Sequence, residues 1–310
     1  MVFFAVGIVI LPLILGAFWI KVVTSAAIFA LAASGVGLIY AQLGLINLAQ
    51  IALIGIGGWI ALRLNYATEL PVTLITLLAA IATGFLGALF ALPALRMRGL
   101  YLALVTLMVA AAFQIAFNAV QFPNGGDGFR GVALQSAGTV RRPEVATSDA
   151  AYLAYAMAAL ALGFLLIEAH KRTAPGRAWK MIRMSEANAM AAGVNVTFLK
   201  LWAFALSGAL AGTSGALLAG ALRQLDARSF SAVEGILLFA LSVVGGVHSW
   251  FGAVLAGVLY KLLPALFNNL GISSDAALIV FGAALLHAIM TAPRGLAGQL
   301  GGLFQGRAKA

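Results

Sequence analysis

The chain has 310 residues, 63% of them hydrophobic and 9% charged, with a mean hydropathy of +1.05 and a formal net charge of +10. A soluble domain carries about a quarter charged residues, so the composition excludes one and points to an all-α polytopic membrane protein. The basic excess reads as the topological signal of loops on one side of a membrane and as attraction for anionic lipid, not as a nucleic-acid footprint; the absence of cysteine excludes disulfides, thiolate metal sites and a cysteine nucleophile.

Runs of about 20 apolar residues are candidate spans. About ten transmembrane helices are predicted, near 2–20, 22–40, 46–62, 70–92, 99–120, 151–168, 199–222, 234–247, 250–268 and 275–292, in one transmembrane domain, 1–310. No basic residue precedes Lys21, and the first apolar run has the length of a span, so it reads as a transmembrane helix rather than a cleaved signal. The stretch Tyr40–Gln50 sets Gln42, Asn47 and Gln50 around Gly44, between glycine-rich segments. It reads either as a polar loop or as part of a pathway lining, since irregular backbone at membrane depth is tolerated only when buried in protein or facing a cavity. Gly55, Gly57 and Gly58 fall in the third span, and Gly208 and Gly212 in the seventh have the spacing that lets helix backbones approach.

Segment 121–150 is turn-rich at its start and forms the long external loop. Segment 169–198 is basic and helix-prone, with Lys171, Arg172, Arg177, Lys180 and Arg183, and the positive-inside rule puts it in the cytoplasm. Ten spans then leave both termini on that same side. The eighth and ninth spans are separated only by Gly245–Ser249 and could form a re-entrant pair.

No P-loop, H-E-x-x-H or G-x-S-x-G pattern occurs, and His170, His248 and His287 are isolated, so the chain reads as a non-enzyme. Only Glu234 and Lys261 are plausibly deep in spans. Both lie within snorkelling reach of an interface, which favours a structural role, while Glu234 is also a path candidate. So few buried acids argue against an ion-coupled secondary transporter, the reading from a different class.

Four blocks carry a family likeness: GLINLAQIALIGIGGWIA (44–61), GLYLALVTLMVAAAFQIAFN with NGGDGFRG (99–118 and 124–131), GRAWKMIRMSEANAMAAGVNVTFLKLWAFALSGALAGTSGAL (176–217) and SFSAVEGILLFALSVVGGVHSWFGAVLAGVL (229–259). They resemble the inner-membrane permeases of bacterial branched-chain amino-acid ABC importers, the LivM-type subunit more than its LivH-type partner. The resemblance implies an ABC-importer permease fold with a cytoplasmic coupling helix, in which Glu186, Ala187, Ala191 and Gly193 engage the ATPase. Gly193 stands one residue later than in the common motif, and a plain amphipathic interfacial helix is the other reading. Relatives place an acid where Leu237 aligns, with Glu234 one turn earlier as a substitute.

The same resemblance implies a second, LivH-type permease, two cytoplasmic ATPases and a periplasmic substrate-binding protein as partners. ATP and Mg would be bound by those ATPases, with no cofactor on this chain. The path candidates are Asn47, Gln50, Gly55, Gly57, Gly58 and Glu234; the binding-protein contact would be Asn124, Gly125, Gly126 and Asp127. Related permeases carry urea, short amides or sugars, and the sequence does not separate these from leucine, isoleucine and valine.

Overall fold

The computed structural model describes residues 14–95, 97, 99–119, 141–222, 225–271, 279, 282–283 and 295–299. In chain order the helices are α1 (Ala17–Leu43), α2 (Gln50–Ala67), α3 (Val72–Phe90), α4 (Leu100–Ala119), α5 (Asp149–Arg172), α6 (Ala174–Met184), α7 (Glu186–Ala191), α8 (Val196–Leu222), α9 (Ala232–Gly245), α10 (Trp250–Gly257) and α11 (Leu263–Asn269). A π-helical turn, Val258–Leu262, makes α10 and α11 one continuous rod. No strand occurs among the described residues, in keeping with the all-α expectation.

Among the described residues six helical stretches are long and apolar enough to cross a membrane: α1, α3, α4, α5, α8 and the rod Trp250–Asn269. Several expected spans differ from this. The first and tenth fall largely outside the described residues. Lys21, expected in a break between spans, lies within the opening turns of α1. The third is shifted, because its helix begins only at Gln50 and runs to Ala67. The eighth is α9, whose 14 residues reach roughly 21 Å, short of the ~30 Å hydrocarbon core. The count of ten is therefore not established.

Helices α1 and α8 form the centre. Their most apolar 18-residue windows are 83% and 72% buried, against 28–33% for the other four candidate spans. That contrast follows from side-chain size. Gly208, Gly212 and Gly215 of α8 face α2 and α3, and a Cβ on Gly208 would stand 2.5 Å from the Thr83 carbonyl and 3.1 Å from Gly87 Cα. Lipid tails are as apolar as leucine, so such contact, not hydrophobic exclusion, holds membrane helices together. Large side chains instead point outward from α3 and α4, where Phe85, Leu100, Tyr101 and Met108 are 71–75% exposed.

The bundle has two polar ends. At one, Arg142 reaches the last carbonyls of α8, donating to Gly220 O (3.0 Å) and Ala221 O (3.4 Å), and pairs with Asp149 at the start of α5 (2.7 Å). Lys21 of α1 joins the same carboxylate at 3.6 Å. A cation at a helix C-terminus and an acid at a helix N-terminus both favour the helix dipoles. The opposite end carries α6 and α7.

Candidate translocation path and coupling surface

At the α6–α7 end, Ser185 accepts the Asn188 amide (3.3 Å) and so caps α7. Beyond Ala191 the chain closes a Schellman turn: Gly193 N–H donates to Met190 O (2.9 Å) and Val194 N–H to Ala189 O (3.0 Å). That turn requires a left-handed residue, and Gly193 supplies it at φ +79°. Glu186 and Gly193 therefore bracket one short helix, as the sequence implied.

The two small helices are braced on the bundle. Trp179 is fully buried and donates to Leu199 O (2.9 Å). Arg183 donates to Ala41 O in the last turn of α1. Glu186 turns inward and pairs with Lys200 of α8 at 2.8 Å, their side chains 17% and 2% exposed. Facing outward on α7 are Ala187, Asn188, Met190, Ala191 and Gly193, and Met184 stands beside them at 82% exposure.

From Gly44, beside Arg183 at the α6–α7 end, the chain runs irregularly inward to Ala49, and α2 begins at mid-depth with Gln50. Leu45, Asn47, Leu48 and Ala49 are buried, so the backbone must find partners inside the protein. The Leu48 amide donates to Thr106 Oγ1 (3.0 Å) and the Ala49 amide to Asn47 Oδ1 (3.0 Å). Gln50 then ties three helices together. Its Nε2 donates to Ala32 O and Ser207 O, both at 3.2 Å, and its Oε1 accepts from Ser207 Oγ at 3.0 Å. A buried break of this kind in a membrane helix is where transport proteins place pathways.

Residues 18–289 match the family described as the permease component of branched-chain amino acid transport systems. The chain belongs to this family. Two relatives, the high-affinity branched-chain amino acid transport system permease proteins LivM of Salmonella typhimurium and of Escherichia coli, are each 26% identical over 297 residues, spanning 89% of this chain and 69% of theirs. No solved structure matches it.

In this LivM-type permease the expected path residues do not share one surface. The glycines of α2 are at helix contacts: a Cβ on Gly55 would meet Phe117 and Phe230 at 2.7 and 2.9 Å, and one on Gly58 would meet the Gly215 carbonyl at 3.1 Å. Gly57 opposes Gly212 of α8. Gln50 begins the same helix, Asn47 lies in the irregular segment before it, and Glu234 lies on α9, in its first turn. Asn124, Gly125, Gly126 and Asp127 fall outside the described residues.

Two residues of this region were not anticipated. Tyr260 donates to Glu234 Oε2 and stacks on Phe29 at 4.4 Å. Pro264 has no N–H for the Tyr260 carbonyl and so disfavours a regular helix there. The chain shifts register instead, with Leu263 N–H bonding Val258 O five residues back. A proline three residues after a deep lysine was the available signal.

Proposed function

We propose that this permease is half of the translocation path of an ATP-driven importer of branched-chain amino acids in a bacterial inner membrane. The α6–α7 end faces the cytoplasm in this reading, as do both termini. The partners are a LivH-type permease, two ATPases that bind ATP and Mg, and a periplasmic binding protein. The observation that carries it is the exposed, tightly terminated α7, held on α8 by Glu186 while the adjoining α6 is held on α1 by Arg183, in a chain from this family.

Ala187, Ala191 and Gly193, with Met184 and Met190, form the face offered to an ATPase. Glu186 holds that face on α8, so a displacement of α7 is passed to the helix that packs on α2 and α3. The break at 44–49 then lies one contact from the moving helix, through Gln50 and Ser207. Asn47, Gln50, Gly55, Gly57, Gly58 and Glu234 are assigned to the path, and Asn124–Asp127 to the binding-protein contact.

The test is purification from native membranes with mass spectrometry, for wild type and for Ala187→Arg with Ala191→Trp, followed by ATP-driven leucine uptake in proteoliposomes. A second permease and two ATPases should accompany the wild type, and the ATPases should be lost from the double variant. A wild-type chain that purifies alone refutes the reading, and uptake of urea in place of leucine refutes the substrate.

A further inference from the structure

Midway along the bundle two half-buried side chains of opposite charge stand near each other without pairing directly. Glu234 opens α9 and accepts from the Tyr260 hydroxyl. Lys261, the next residue along the π-helical turn, holds its Nζ over the rings of Phe29 (4.6 Å to the centroid) and Tyr260 (5.0 Å) rather than against the carboxylate. Their depth follows from α1. Phe29 is twelve residues from Ala17 and fourteen from Leu43, so roughly 18 and 21 Å from the two ends at 1.5 Å per residue. Counting from the other side, Lys261 is eleven residues beyond Trp250, roughly 16 Å along the rod that starts beside α5. Both routes place the cluster near the middle of a ~30 Å core.

A full charge at that depth costs several kcal/mol, and such residues ordinarily mark a substrate route. Cation–π contact offsets part of the cost for Lys261, and one phenol hydrogen bond offsets part for Glu234. Neither contact saturates its group: a carboxylate has about four acceptor sites and an ammonium three donors. The register shift adds the placement. A regular helix would rotate Lys261 relative to Phe29, whereas the π turn puts Tyr260 toward Glu234 and Lys261 on the aromatic faces.

We infer that Glu234 and Lys261, positioned by Tyr260 and Phe29, form a mid-membrane subsite for the zwitterionic head of an α-amino acid. Glu234 takes the ammonium and Lys261 the carboxylate, and the two charges of the cargo complete the bonding that Tyr260 and the aromatic faces leave open. This deepens the proposed transport function and rests on it.

The experiment uses the complex as it purifies from native membranes, illuminated with a photoactivatable diazirine analogue of leucine at millimolar concentration. Labelled peptides are mapped, and ATP-driven leucine uptake by the same complex is measured in parallel. Labelling should fall within 26–34 and 232–263, compete with leucine, and resist isoamylamine, which lacks the carboxylate, and the keto acid of leucine, which lacks the ammonium. Glu234→Gln and Lys261→Met should each reduce it about tenfold or more, the loss of one charged hydrogen bond.

Lys261→Arg keeps the charge and should retain labelling within about threefold. It also guards against a variant that fails to fold, because a loss in Lys261→Arg as deep as in Lys261→Met overturns the subsite. So does labelling confined to other segments, or competition by isoamylamine equal to that by leucine. Absence of leucine uptake by the wild-type complex sinks the transport function itself, whereas uptake with labelling elsewhere sinks only the subsite.

Discussion

The Glu186–Lys200 pair is the clearest mechanical element at the α6–α7 end, and its removal has a calculable effect. Lys200 Nζ sits 2.8 Å from Glu186 Oε1, and the lysine side chain is 2% exposed. Glu186→Gln leaves an ammonium buried without its counter-ion. Breaking such a pair from one side costs about 3–5 kcal/mol. The lower figure applies here, because Glu186 retains 17% exposure and water can reach the site. The cost is local, since α7 is a single short helix whose opening does not require the bundle to unfold.

About 3 kcal/mol corresponds to roughly a 100-fold rise in the open population of α7. The assay is amide hydrogen exchange on the detergent-solubilised protein, read for residues 186–194 against mid-α8 as an internal standard. Glu186→Gln should accelerate exchange about 100-fold in that segment and leave mid-α8 unchanged. The double variant Glu186→Gln with Lys200→Met removes the orphaned charge, and should return exchange to within about tenfold of wild type. Exchange in Glu186→Gln within threefold of wild type would refute the brace, and so would a double variant no slower than the single one.

Three further outcomes follow from packing and bonding capacity. Gly57→Val puts a side chain on the Gly212 backbone and should lower the thermal midpoint by about 5 °C or more by tryptophan fluorescence, in the range expected for overpacking, while Gly16→Ala, where a Cβ meets nothing within 4 Å, leaves it unmoved. Gln50→Leu should cost only about 1–2 kcal/mol in chemical denaturation, since Ala32 O and Ser207 O lie mid-helix and keep their own amide donors, whereas Gln50→Glu places a charge at mid-depth and should cost about 3 kcal/mol. Arg142→Lys should speed exchange in the last turn of α8 nearly as much as Arg142→Ala, because one ammonium does not reproduce a guanidinium fork spanning Gly220 O, Ala221 O and Asp149.

Membrane class, helical fold and the α7 motif were legible in the sequence for a physical reason. Each rests on a local rule: apolar run length, a serine cap, a glycine at a left-handed position. Glu186 and Gly193 were expected on one coupling helix, and the hydrogen bonds of α7, from the Ser185 cap to the Gly193 turn, agree with one short helix there. The break before α2 was half legible. Gly44, Asn47 and Gln50 announced irregular polar backbone, but not that it would be buried to mid-depth, because that depends on Thr106 from α4 and Ser207 from α8. Glu186 offers the converse lesson. Its position on α7 was readable, but its direction was not, since Lys200 lies fourteen residues on, beyond a turn. Span bounds were least legible at α2, whose helix starts four residues late, and at α9, whose helix is short, because hydropathy registers the apolar run and not the point at which its helix begins.

The two polar features at mid-depth differ in what they leave unspent, and that difference assigns their roles. Gln50 uses both amide hydrogens and its oxygen within the protein, and with Asn47 and Thr106 it satisfies the irregular backbone beside it. For Gln50 to bind cargo, it would first have to release α1 or α8, forfeiting contacts worth about 1 kcal/mol each. The charged cluster carries the opposite balance. Glu234 and Lys261 hold capacity beyond Tyr260 and the aromatic faces, in surroundings where an unspent charge is costly. A saturated network fixes geometry, while an unsaturated pair of opposite charges attracts a ligand that carries both. In the proposed mechanism the uncharged break therefore serves as the hinge that α8 can move, and the charged cluster, whose Glu234 is on the helix that packs on Leu48 of that break, is the part inferred to meet an amino acid.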